Sequence, residues 1–214
     1  MALLSLVALS LLTWNVVADV GLARLDPRVQ GIVVRHRVEW LTEAFRGLTW
    51  LGSTVVLGPL VGLAGAIFLV RDKRVLPAIL PAAAVVVTVL AKNWLKVLIE
   101  RPRPVPTLAI GSTGFAFPSG HAADSVAAFA MLALILAAGP SSCARWAIWG
   151  GAAIATLVVG VSRVYLGAHW MTDVLGGWAL GAGIVSILVT VLGPGRRSDP
   201  EAEALKRPAG PAGT

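Results

Sequence analysis

The sequence has a single cysteine, Cys143, so no disulfide can form within the chain. It is also short of charge. Asp, Glu, Lys and Arg make up 14% of its 214 residues, against about 25% in soluble domains. That shortage argues against a soluble domain and for a membrane. Strand-like alternation is missing from the apolar stretches, which excludes a membrane β-barrel. There is no internal repeat. The first stretch, "MALLSLVALSLLTWNVVADVGLA", lacks a basic n-region and reads as a retained first helix, although "VADVGLA" has the small residues of a signal cleavage site.

Apolar sequence takes the place of the missing charge. Hydrophobic residues account for 57% of the chain, and the mean hydropathy is +0.80. Residues 1–18, 47–70, 75–91, 125–144, 146–162 and 174–195 carry no Asp, Glu, Lys or Arg, giving six runs of 17 to 24 residues. A helix needs about 20 apolar residues to cross a bilayer core, and in lipid only helices or closed barrels satisfy their own backbone. The expected fold is therefore an all-α integral membrane domain over 1–193. Its six transmembrane helices fall near 2–20, 48–70, 75–99, 120–138, 146–163 and 171–192, with Pro77 and Pro81 in the first turns of the third. Residues 21–46 are mixed and charged. Asp26-Pro27 reads as an N-cap followed by N1. Val29, Ile32, Val33, His36, Trp40 and Phe45 can form a stripe, so an amphipathic helix on the membrane surface is expected. The tail, 194–214, is rich in Pro, Gly, Ala and charge and reads as disordered.

Parity gives a further expectation. With six spans, the end of the third, the start of the fourth, the end of the fifth and the start of the sixth share one membrane face. On that face lie "KVLIERPRP", "PSGH" and "SRVYLGAHWMTD". Ionisable residues at membrane depth are functional candidates by default.

Lys96, Arg101, Arg103 and Arg163 are cations with few carboxylates nearby, and they call for an anion. Arg offers a fork matched to phosphate oxygens, and Lys offers a point charge. Snorkelling to lipid headgroups accounts for Lys92 and Arg101. It accounts poorly for Arg163, which His169 and Asp173 follow closely. Ser119 and Gly120 stand where a loop becomes a helix, a ready anion site, with His121 in the first turn. His169 and Asp173 are four apart and are expected to share a helix face. An Asp holding one ring nitrogen leaves the other as an aimed nucleophile. A simple helix pair is the plain alternative. A metal site would need His121, His169, Asp124 and Asp173 to converge, but the surrounding cations would repel a dication. Two histidines beside a cationic cradle suggest phosphoryl transfer without metal. One histidine attacks phosphorus, and the other protonates the leaving oxygen and then activates water.

These motifs resemble those of the type 2 phosphatidic acid phosphatase family, related to vanadium haloperoxidases and bacterial acid phosphatases. That family's signature has three parts. Lys, six residues and Arg-Pro appear here as Lys96, Arg103 and Pro104. "PSGH" runs from Pro118 to His121. Ser-Arg, five residues, His, three residues and Asp appear as Ser162, Arg163, His169 and Asp173. The resemblance implies Lys96, Arg103, Ser119, Gly120 and Arg163 as phosphate ligands. It implies His169 as nucleophile, Asp173 as its orienting partner, His121 as general acid, and no metal or other cofactor. Asp124 lies outside the signature. One turn after His121, it could tune that ring or complement the helix dipole.

The expected substrate is a membrane lipid phosphate or diphosphate, of phosphatidic acid, phosphatidylglycerol phosphate or polyprenyl diphosphate type. The net charge of +7 then serves lipid headgroups and phosphate rather than nucleic acid. A membrane transporter is the rival class, but it would place polar groups near mid-span. The resemblance implies an outward-facing site in the cell membrane. Charge alone does not set that side. With the site outside, inside loops hold eight Lys and Arg, and the site face holds seven once Lys96, Arg103 and Arg163 are set aside.

Overall fold

The computed structural model describes residues 1–73, 75–105, 108 and 113–192. The expected tail, 194–214, lies outside the described residues. Eight α-helices are present among those described: α1 (Ala2–Val17), α2 (Asp26–Arg35), α3 (Glu39–Leu48), α4 (Thr54–Asp72), α5 (Val75–Ile99), α6 (Gly120–Leu136), α7 (Ser142–Tyr165) and α8 (Met171–Leu192). Short 3-10 turns precede α2 and α4.

By length and composition α4, α5, α7 and α8 can each cross a membrane. The pair formed by α1 and Gly21–Arg35, bent by 55°, makes a fifth candidate. The fourth expected span, 120–138, is represented by α6, which has 17 residues. At 1.5 Å per residue it is about 26 Å long, a little under a typical hydrocarbon core. The chain is a multi-pass, all-helical membrane protein, with four or five spans that meet the length test alone.

Small residues place α6 at the centre. Its sequence, "GHAADSVAAFAMLALIL", packs against α4, α5, α7 and α8. Leu57 and Val61 of α4, Leu80, Ala84 and Val85 of α5, and Met131 of α6 build one core cluster. At Gly177 a Cβ would lie 2.5 Å from the Ser119 carbonyl oxygen, and at Gly181 it would lie 2.6 Å from that of Ala123. Only glycine lets α8 approach α6 so closely, the small-residue packing of membrane helices. Large apolar side chains point outward instead. Val55, Leu63, Val86, Leu90 and Ile154 are exposed, as lipid-facing residues should be. Trp40, Trp50 and Trp94 are exposed towards one end of the bundle and Trp146 towards the other, as in interfacial aromatic belts.

Residues 21–46 do not form one helix. Asp26 is N1 rather than N-cap, since Leu25 caps α2. The chain breaks after Arg35 because Arg37 Nε donates to the Tyr165 carbonyl at 2.9 Å and the Val38 N–H donates to the Tyr165 hydroxyl at 2.8 Å. Asp26 and Gln30 face inward, whereas Ile32 and Trp40 are exposed. The segment thus turns a polar edge to the protein and leaves apolar residues outside.

Candidate active site

The five-residue gap between Arg163 and His169 is a helix terminus. Gly167 adopts φ +72° just past the end of α7. The Gly167 N–H bonds the Val164 carbonyl at 3.0 Å, and the Ala168 N–H bonds that of Arg163 at 3.0 Å. This is a Schellman motif, in which glycine takes the left-handed position. The turn brings the His169 N–H to the same Arg163 carbonyl, at 3.2 Å. His169 and Arg163 are therefore held together by backbone.

His169 lies two residues before α8, not on it, which corrects the expectation of a shared helix face. Asp173 is N3 of α8, and its Oδ2 accepts the Trp170 N–H at 2.9 Å, the return half of a capping box. The same oxygen lies 3.4 Å from His169 Nδ1, longer than a formed hydrogen bond. Arg103 Nη1 stands 3.1 Å from His169 Nε2. A guanidinium can only donate, so this contact assigns Nε2 as the acceptor and the ring proton to Nδ1, on the side of Asp173. Burial first, then the Arg163, Arg103 and Lys96 charges, hold the His169 imidazole well below its ordinary pKa. Burial and these cations therefore disfavour the imidazolium form of the ring.

The end of α5 supplies two cations. Glu100 takes a positive φ of 49° and turns the chain. Lys96 Nζ, in the last turn, donates to the Phe115 carbonyl at 2.5 Å. Arg103 reaches the Ala168 carbonyl at 2.6 Å and the Thr113 carbonyl at 2.9 Å. Arg163, buried at 4% exposure, donates to the Thr49 hydroxyl at 3.1 Å.

Ser119 is the N-cap of α6, yet its hydroxyl does not cap that helix. The oxygen is buried and has no hydrogen-bond partner. A serine in this position normally bonds the N2 or N3 amide, and this one does not. The Ser119 N–H donates to the Asp173 carbonyl at 2.9 Å, which joins the α6 and α8 termini. His121 follows on α6, within electrostatic reach of Arg163 and His169. The structure therefore brings Lys96, Arg103, Ser119, Gly120, His121, Arg163, His169 and Asp173 to one end of the bundle.

Two sequence expectations are corrected. Lys92 and Arg101 do not snorkel. Lys92 pairs with Asp124, and Arg101 pairs with Asp26 at 2.7 Å and Asp173 at 2.5 Å. Asp124 accepts from Lys92 and from the Thr54 hydroxyl. Sequence reasoning gave no role to Thr49 or Thr172 and read Asp26 only as a helix N-cap. One signal was available: carboxylates are scarce at this end, so each is expected to be paired.

Comparison with known proteins gives a consistent picture. The PAP2 superfamily model matches residues 77–197. Phosphatidylglycerophosphatase B of Bacillus subtilis is 33% identical over 159 residues, covering 73% of this chain and 77% of that protein. Undecaprenyl-diphosphatase of Sulfolobus acidocaldarius is 34% identical over 84 residues, covering 38% of this chain and 37% of that protein. Among solved structures, a transmembrane PAP2-type phosphatidylglycerolphosphate phosphatase from Bacillus subtilis superposes with a TM-score of 0.79 at 29% identity, covering 94% of this chain and 97% of that one.

Proposed function

The chain belongs to the PAP2 superfamily, and from that premise we propose that it is a membrane phosphatase that hydrolyses lipid phosphates or diphosphates through a phosphohistidine. One observation carries the proposal. His169 Nε2 meets Arg103 at 3.1 Å, while Nδ1 lies 3.4 Å from Asp173 Oδ2.

The phosphoryl group enters between Lys96, Arg103, Arg163 and the α6 terminus, and its oxygens take over donors that Lys96 and Arg103 now spend on carbonyls and Arg163 on the Thr49 hydroxyl. Arg103 then leaves Nε2, and that lone pair attacks phosphorus. The bond from phosphorus to the lipid oxygen breaks, and His121, which takes up a proton once the phosphate's negative charge lies beside it, gives that proton to the leaving oxygen. Asp173 accepts from Nδ1–H and offsets the positive charge that grows on the ring. In the second step His121 takes a proton from water. The water oxygen attacks phosphorus, the N–P bond breaks, and inorganic phosphate leaves with His169 restored. The cations stabilise the spreading charge in both steps. Among the described residues no three of His, Cys, Asp and Glu converge as a metal-ligand set, so this reading assigns the positive charge to Lys and Arg.

The site lies at the helix ends, so a lipid keeps its tails in the bilayer while its phosphate enters the cradle. The relatives named for phosphatidylglycerophosphate and undecaprenyl diphosphate put both mono- and diphosphates in the test panel. Purified protein in detergent is expected to release inorganic phosphate from at least one of them, with activity intact in EDTA and inhibited by vanadate. Activity lost in EDTA and restored by magnesium would overturn the metal-free mechanism. Binding or flux without phosphate release from any lipid would favour a transporter.

All six apolar helices cross the membrane in this reading, and the site faces the exoplasmic side. Cys143 is exposed at the opposite end of the bundle. In intact cells a membrane-impermeant maleimide is expected to spare Cys143 and to label Val105→Cys made in a Cys143→Ser background. Val105 is 90% exposed and adjoins the site. The reverse labelling would invert the topology.

A further inference from the structure

Asp26 sits on α2, far from the signature motifs in sequence, yet it is 1% exposed. Its Oδ2 accepts from Arg101 Nη2 at 2.7 Å and from the Thr172 hydroxyl. Its Oδ1 accepts the Thr172 N–H at 3.1 Å. Arg101 Nη1 reaches the Thr172 hydroxyl at 2.7 Å and Asp173 Oδ1 at 2.5 Å. The Arg101 guanidinium also lies 5.7 Å from the centre of the Trp170 ring, and the Trp170 indole N–H donates to the Pro102 carbonyl at 2.9 Å. The result is a buried row of alternating charge, Asp26, Arg101 and Asp173, ending at His169.

We propose that Asp26 and Arg101 are positioning residues for the reaction, and that α2 is through them part of the catalytic apparatus. The proposal rests on the reading of His169 and Asp173 given above. Asp173 spends Oδ1 on Arg101, and its Oδ2 is the oxygen facing His169 Nδ1. A lone guanidinium at 2.5 Å would neutralise Asp173 and weaken its hold on the histidine. Asp26 shares that guanidinium, so the three groups together keep one net negative charge beside the ring. Tethering α2 does not require these ions, since packed apolar residues often replace a buried ion pair without loss. The charges matter through what they do to Asp173.

Asp26→Asn tests this with little change of shape, because the amide oxygen can still accept the Thr172 N–H. It removes the negative charge that balances Arg101. The expected result is a fall in kcat of about tenfold to a hundredfold, the size seen when outer partners of metal-bound histidines are lost. KM is expected to stay within about twofold, because phosphate contacts are untouched. Asp26→Asn/Arg101→Gln restores the net charge of the row, so its kcat is expected to exceed that of Asp26→Asn several-fold. A mere tether predicts the opposite: a double variant no better than the single one, with losses that follow thermal stability. That pattern, or wild-type kcat in Asp26→Asn, would overturn the proposal. If Asp26→Asn does not fold, Arg101→Lys replaces it. Lysine keeps the charge but lacks the fork that presents Nη1 to Asp173 and Nη2 to Asp26, so kcat is again expected to fall, and a wild-type kcat would count against the pair. His169→Ala measured alongside separates the two ideas. An active His169→Ala removes the underlying mechanism, whereas an inactive one with an unaffected Asp26→Asn removes only this proposal.

Discussion

His169→Ala is expected to abolish turnover and to leave no phosphoenzyme with any substrate, because in the proposed mechanism both chemical steps pass through its Nε2. His121→Ala is expected to behave differently. Acid–base help from a positioned side chain is worth roughly 10²–10⁴-fold. It matters most when the leaving group is a lipid alkoxide, which departs poorly without a proton. An activated aryl phosphate needs little protonation, so with that substrate His121→Ala should still phosphorylate His169. The second step would lack its base, and phosphoenzyme should accumulate in a burst followed by slow turnover. Acid-labile labelled phosphate should therefore appear on His121→Ala and not on His169→Ala. The reverse pattern would exchange the two roles. Labelling of neither would argue for direct attack by water.

Charge-free runs locate helices well when charges or proline bound them. The third and sixth expected spans, 75–99 and 171–192, coincide with α5 and α8. Runs fail where a cap sets the boundary instead. The second run begins near residue 48, but α4 starts at Thr54, because Thr49–Gly52 forms a 3-10 turn and Ser53 caps the helix through a 3.3 Å bond from the Val56 N–H. The fifth begins earlier than its run because Ser141 caps α7. Residues 21–46 misled for another reason. A stripe of apolar residues shows that one face is greasy but not that the helix is continuous. The break there comes from Tyr165, which lies more than a hundred residues away and leaves no trace in local periodicity.

The site divides along the same line. Arg163, His169 and Asp173 are set by local backbone, a Schellman turn and a helix start, so their spacing carries the geometry. The convergence of Lys96, Arg103 and Ser119 on them followed from helix parity alone. The ion pairs behind the site did not. Arg101 and Asp26 are 75 residues apart, and Lys92 and Asp124 are 32 apart. Sequence could say that such charges need partners but not which partners they have. A cation at a helix end near a membrane surface has an easy default in headgroup contact, and that default hid both pairs.

Lys92→Met is expected to be among the most destabilising single changes in the chain. The Lys92 and Asp124 side chains are 10% and 1% exposed and share an ion pair at the Asp124 Oδ2. The Thr54 hydroxyl donates to that same oxygen at 2.8 Å. Methionine keeps the volume of the lysine stem but strands the carboxylate among α4, α5 and α6 with one neutral donor. Breaking a buried pair in this way costs about 3–5 kcal/mol. For a protein of this size that corresponds to a fall on the order of 10 °C in melting midpoint. The cost arises from the stranded charge and not from the lost pair, so removing both charges should be much cheaper. Lys92→Met/Asp124→Asn is therefore expected to recover most of the midpoint lost by Lys92→Met. Thermal unfolding of the purified variants in one detergent, followed by retention of monodisperse protein on heating, would measure both. A Lys92→Met protein as stable as wild type would mean that the pair is not buried. A double variant no more stable than Lys92→Met would mean that packing around Lys92, rather than its charge, holds the three helices together.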